Sequence, residues 1–90
     1  MSRMITVLSI DAWRDGEFGW NWNNWFRIGI VSEECLRYSA RKLFTYLRKE
    51  GYNIPVGSVS LNDDRYNLVI QDRKNGRPLF AIAYGELENV

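Results

Sequence analysis

Histidine is missing from this 90-residue chain altogether, and cysteine occurs once. Without His, the chain lacks the side chain that most often serves as general base and as metal ligand. A single cysteine, Cys35, rules out an internal disulfide and any zinc site built on paired cysteines. It fits a reducing, cytoplasmic setting. No apolar run approaches the roughly eighteen residues of a membrane-spanning helix, so no membrane partner is expected. The opening "MSRMITVLSIDAW" has the Arg-then-apolar order of a leader peptide. However, Asp11 and Trp13 follow at once and no small-residue cleavage site appears, so it reads as a strand of the mature protein. Net charge is only +1, so no global field draws the molecule to nucleic acid, and any such attraction must be local. Repeats, linkers and low-complexity tracts are lacking too.

What is present is an ordinary globular composition, 46% hydrophobic and 26% charged, in a length that makes one domain over residues 1–90. So short a chain has a thin core. Its four Trp, five Tyr and four Phe thicken that core, because each ring buries about 150–250 Å².

Residues 4–13, "MITVLSIDAW", are β-branched and apolar without a helical period and read as a strand. "RDGEFG" follows, with Asp15-Gly16 as a turn signal. Residues 20–31, "WNWNNWFRIGIV", form the second strand of an antiparallel hairpin. Residues 32–51 change to helical period: Leu36, Ala40, Leu43, Phe44 and Leu47 share one face. Ser32 stands as N-cap, Glu33 and Glu34 sit at the positive end of the dipole, Arg48 and Lys49 at the negative end, and Gly51 stops the helix. "YNIPVG" connects to strands "SVSL" and "YNLVIQD", joined by a polar loop at 62–65. Asn75-Gly76 is the strongest hairpin signal in the chain and leads into the last strand, "LFAIAYG". "ELENV" is an acidic tail. The expected fold is α+β: a single antiparallel sheet of about five strands, in the order β-β-α-β-β-β, with one amphipathic helix packed on one face.

Alternate residues of a strand share a face. The even positions of the second strand, Trp20, Trp22, Asn24, Phe26, Ile28 and Ile30, are apolar but for Asn24 and are expected under the helix. Trp25 then points the other way, beside Arg27. It is expected to be the exposed tryptophan, on the face opposite the helix. Three alternatives compete: a bulge at Asn23-Asn24 that turns Trp25 inward, a minor cluster with Trp13, or a surface cation–π pair with Arg27 or Arg14.

The polar side of the helix carries Arg37, Tyr38, Arg41, Lys42, Thr45, Arg48 and Lys49, five cations without an interleaved acid. Such a face suits solvent, nucleic-acid phosphate or an acidic protein surface. With Asp63, Asp64, Glu86 and Glu88 elsewhere, the charge layout is dipolar, which favours oriented docking onto a protein.

Enzyme readings rank low. Asp63-Asp64 is a carboxylate pair within one strand-joining loop, whereas catalysis or metal binding needs groups converging from separate segments. Asp11 joins such a group only if the fold brings it near. Cys35 and Ser32 lack a histidine base, and Glu33 and Glu34 oppose a thiolate. No catalytic residue, metal or cofactor is expected. The function expected is that of a small non-enzymatic protein-binding domain, an inhibitor or adaptor that covers part of a larger protein, with phage inhibitors of host defence as a loose analogy of size. Its contact residues are Trp25, Arg27, Arg37, Tyr38, Arg41, Lys42, Arg48 and Lys49. The alternatives are a nucleic-acid-binding module using the basic helix and Trp25, or a homo-oligomer subunit, at its simplest a homodimer, pairing through a strand edge or the open sheet face.

Overall fold

The computed structural model describes residues 3–16 and 19–85. Part of the expected first turn, residues 17–18, and the acidic tail with Glu86 and Glu88 lie outside the described residues. The elements are β1 (Met4–Asp15), β2 (Gly19–Ser32), a 3₁₀-helix (Glu33–Arg37), α1 (Ala40–Lys49), β3 (Val59–Asp64), β4 (Asn67–Asp72) and β5 (Pro78–Ala83). Among the described residues they make a small α+β fold with one antiparallel sheet and a single α-helix, and the strand order is β2-β1-β5-β4-β3.

β5 inserts between β1 and β4, so Ile82 faces both Val7 and Leu68. β1 therefore lies inside the sheet, and a core packs on each of its faces, which explains why it is apolar on both parities rather than alternating. Its odd residues Ile5 and Val7 join Val31, Leu43, Leu47, Ile54, Val59, Ile70 and Ile82 in the core under α1. Its even residues Leu8, Ile10 and Ala12 join Val69, Ala81 and Ala83 in a second core on the far face. β5 pairs with β1 only from Thr6 to Ser9. Beyond that, β1 and β2 continue as a two-stranded arm to Asp15 and Gly19.

Three expectations need correction. The expected helix over 32–51 is broken. Ser32 does cap, accepting from the Glu34 N–H at 3.3 Å, but the segment it starts is the 3₁₀-helix. Tyr38 is then extended, and Ser39 caps again by accepting from the Lys42 N–H at 3.3 Å. A second serine hydroxyl seven residues on offers the backbone a fresh start. Leu36 and Ala40 consequently do not continue one helical face, and Ala40 is exposed.

The polar loop expected at 62–65 shrinks to the two residues Arg65 and Tyr66, because Arg65 takes up a left-handed φ of 51° and β3 runs on through Asp64.

The third correction concerns the faces of β2. None of Trp20, Trp22, Phe26, Ile28 and Ile30 belongs to the core under α1. Two register shifts intervene. Between Asn24 and Asn21, β2 spends two residues, Trp22 and Asn23, against the single Ala12; between Gly29 and Arg27, Ile28 is extra. Each bulge inverts the parity of the residues beyond it. Trp20 and Trp22 pack instead on the second core. The β2 residue that enters the core under α1 is Val31, and Gly29 lies against the Tyr52 ring, where any Cβ would strike the hydroxyl and ring carbons.

Candidate protein-contact site

β2 ends the sheet, with no strand on its outer side among the described residues. Its middle is apolar and open: Trp25 is 50% exposed, Phe26 65%, Ile28 43% and Ile30 46%. Trp25 faces Ile10 of the second core across the ladder, so it lies on the face away from α1. It is the most exposed tryptophan, as alternation led one to expect, but Trp13 is also exposed at 41%, and Trp22 shares the face of Trp25. The Trp22 and Trp25 rings meet edge to face at 6.3 Å. Phe26 pairs with Ser9 and takes the opposite face, on the helix side but not covered by the helix. Between Gly19 and Ser32 the only charge is Arg27. Taking about 150–250 Å² per aromatic ring, Trp25 and Phe26 alone leave roughly 250 Å² open, and the isoleucines bring the strip to on the order of 400 Å². Trp25 and Ile30 lie on one face of the strand and Phe26 on the other, and an open apolar area of this size is comparable to the largest patch of a typical monomer.

Trp20 has a structural role. Its Nε1 donates to the Asn75 carbonyl at 2.9 Å, and its ring meets the guanidinium groups of Arg14 at 5.0 Å and Arg77 at 5.6 Å. These contacts brace the arm against the β4–β5 turn. Asn21 Nδ2 adds a bond to Asp15 Oδ2 at 2.6 Å near the tip.

The basic residues do not form the single face expected of an unbroken helix. Arg37 belongs to the 3₁₀-helix, on the other side of the break from α1. Lys42 Nζ sits 4.3 Å over the half-buried Tyr38 ring, which itself packs edge to face on Tyr46 at 5.7 Å. Lys49 is exposed. Arg41 and Arg48 turn instead toward β3, where they and Arg73 line a cleft of about 700 Å³ floored by Phe44, Val59 and Leu61. Arg48 is partly committed: Nε donates to the Ile54 carbonyl and Nη2 to that of Pro55, both at 2.9 Å. Arg73 Nη2 donates to the Val59 carbonyl at 3.3 Å. Arg73 was not singled out in the sequence because it stands in a turn, remote from the helix. The β3–β4 register, which sets Val59 opposite Asp72 one residue before it, brings it to the cleft.

No protein-family model, no curated protein and no solved structure matches the chain. The site is therefore interpreted on its own chemistry. Cys35 is 1% exposed and burial pushes its thiol up to about 11, so the helix-end position gives no activated thiolate. Asp63 Oδ1 lies 2.8 Å from the Tyr84 hydroxyl, and Asp63 and Asp64 end a strand rather than converge with other acids. Among the described residues no group of three or more acidic or cysteine side chains is placed to hold a metal ion, and no helix is long and apolar enough to cross a membrane.

Proposed function

We propose that this is a non-enzymatic protein-binding domain of inhibitor or adaptor type, working in the cytoplasm, whose contact element is β2. The observation that carries the reading is the open strip of Trp25, Phe26, Ile28 and Ile30 on an edge strand with one charge. Edge strands are ordinarily shortened, charged or covered, and one left long and apolar is a template for another chain. Trp and Arg, here Trp25 and Arg27, are also the residue types that dominate binding hot spots. The cleft of Arg41, Arg48 and Arg73 supplies a second contact suited to an acidic patch on a larger protein. The same three guanidinium groups support a nucleic-acid reading as the runner-up, since phosphate is equally well matched by arginine.

The test is the size of the complex recovered when the tagged protein is expressed in its native host. Wild type is expected in an assembly larger than one chain, and Phe26→Arg in none, with an unchanged circular dichroism spectrum. A wild-type protein recovered as a single chain removes the proposal. Loss of the assembly on nuclease treatment would transfer it to the runner-up.

A further inference from the structure

We infer that the outer edge of β2 is occupied by β2 of a second copy, paired antiparallel about a two-fold axis at Phe26. This rests on the strip being a protein contact; it names a second copy as the occupant of the β2 edge and leaves the arginine cleft as the contact for a larger protein.

The first argument is that the open apolar residues lie on both faces of one strand. Trp25 stands on the face of Ile10 and Phe26 on that of Ser9. A partner resting on one side of the sheet covers only one of them. A strand added at the edge sets neighbours beside both.

The second is self-complementarity. In a symmetric antiparallel pair, facing residues share a face, so the two-fold axis falls on a residue position. Centred on Arg27, the pairing sets two guanidinium groups directly opposite each other, which is destabilising. Centred on Trp25, it moves each Arg27 off the opposite indole. Centred on Phe26, it puts each Trp25 opposite Arg27 of the other copy, twice over, with Phe26 facing Phe26. Those are two cation–π pairs and one aromatic pair from a strand with a single charge. The axis also falls within the run between the two bulges, residues 24–27. The bulges, which ordinarily guard an edge, here end the pairing on either side.

The third is area. Trp25 and Phe26 of the two copies bring roughly 500 Å² of apolar surface together, the scale of a weak, concentration-dependent dimer rather than a permanent one.

The variant Phe26→Cys tests position and register together. Facing residues of an antiparallel pair have Cα atoms about 4.5–5.5 Å apart, within the span of a disulfide. Under mild oxidation Phe26→Cys is expected to convert to a covalent dimer, while Asn62→Cys on the β3 edge stays a single chain; buried Cys35 does not compete. In parallel, light scattering is expected to give wild type the mass of two chains and Phe26→Arg that of one, with its circular dichroism spectrum unchanged. A wild type of one-chain mass up to millimolar concentration overturns the inference. So does a dimer that survives Phe26→Arg, or one that Phe26→Cys fails to lock. If purified wild type is a single chain but the assembly recovered from the host is still lost in Phe26→Arg, the second copy is wrong and the protein-contact strip stands.

Discussion

The two edges of the sheet are built to opposite rules. β3 is six residues long, buries Val59, and leaves Asn62, Asp63 and Asp64 in solvent. Its flank toward α1 is rimmed by arginine. An approaching strand would meet charge and a short ladder, the usual protections of an edge. β2 is fourteen residues long, carries one charge, and exposes aromatic and branched side chains on both faces. The core under α1 takes only Val31 from β2, and the second core is packed by Trp20 and Trp22. The contrast is between an edge closed off by charge and an edge left apolar and open.

Stability measurements should break or sharpen that contrast. The largest effect is expected beneath α1: Leu43→Ala should cost about 2–5 kcal/mol in urea unfolding, the range for a large aliphatic side chain removed from a core. Phe26→Ala and Trp25→Ala should each cost under about 1 kcal/mol when the protein is dilute enough to be a single chain. Equal losses from Leu43 and Phe26 would make β2 a core strand and erase the distinction.

Next comes Gly29, the point where β2 meets the helix side. Its missing Cβ leaves room for Tyr52, so Gly29→Ala should cost about 1–3 kcal/mol through overpacking. In a Tyr52→Ala background the same change should cost little, and a double-mutant cycle reads the coupling.

Alkaline pH separates core from edge in another way. Burial raises the Cys35 thiol from an ordinary 9.0 to about 11, and raises the Tyr46 and Tyr52 phenols as well. Groups held protonated by folding contribute stability that is complete below their unfolded pKa and lost as pH climbs through the folded one. Melting temperature should therefore fall between pH 9 and 11, less steeply in Cys35→Ala, and Cys35 should react with a thiol reagent only on unfolding.

The smallest effect on stability belongs to the β3 side. Arg41→Glu with Arg73→Glu should change it by under about 0.5 kcal/mol. If the cleft binds an acidic partner or nucleic acid, the pair should nonetheless abolish the salt-dependent part of that affinity. Unchanged binding would leave the cleft inert and β2 the only contact edge.

Much of this architecture was legible in the residues. Asp15-Gly16 and Asn75-Gly76 marked two turns, and both glycines take positive φ. The apolar spacing of Leu43, Phe44 and Leu47 marked the helix face. The face assignment of β2 was not legible, because alternation is reliable only while the register is uninterrupted. A bulge at Trp22-Asn23 costs the strand one residue and leaves no mark in composition. The Asn-rich stretch beside it was the single hint. Ser39 likewise has the look of a residue within a helix, and only the bond from the Lys42 N–H to its hydroxyl marks it as a cap. The second core was hidden in β1, whose run of apolar residues does not say that both its faces are covered. The exposure of Trp25 was anticipated, but on the premise that Trp20 and Trp22 turn the other way, which they do not.

The most direct test is amide hydrogen exchange of the two edge strands as protein concentration rises. Residues 24–27 of β2 should gain protection with concentration and lose that gain in Phe26→Arg, while residues 60–63 of β3 exchange at one rate throughout. Exchange from β2 that is independent of concentration, or protection that grows on β3 instead, would contradict the pairing of β2 with a second copy.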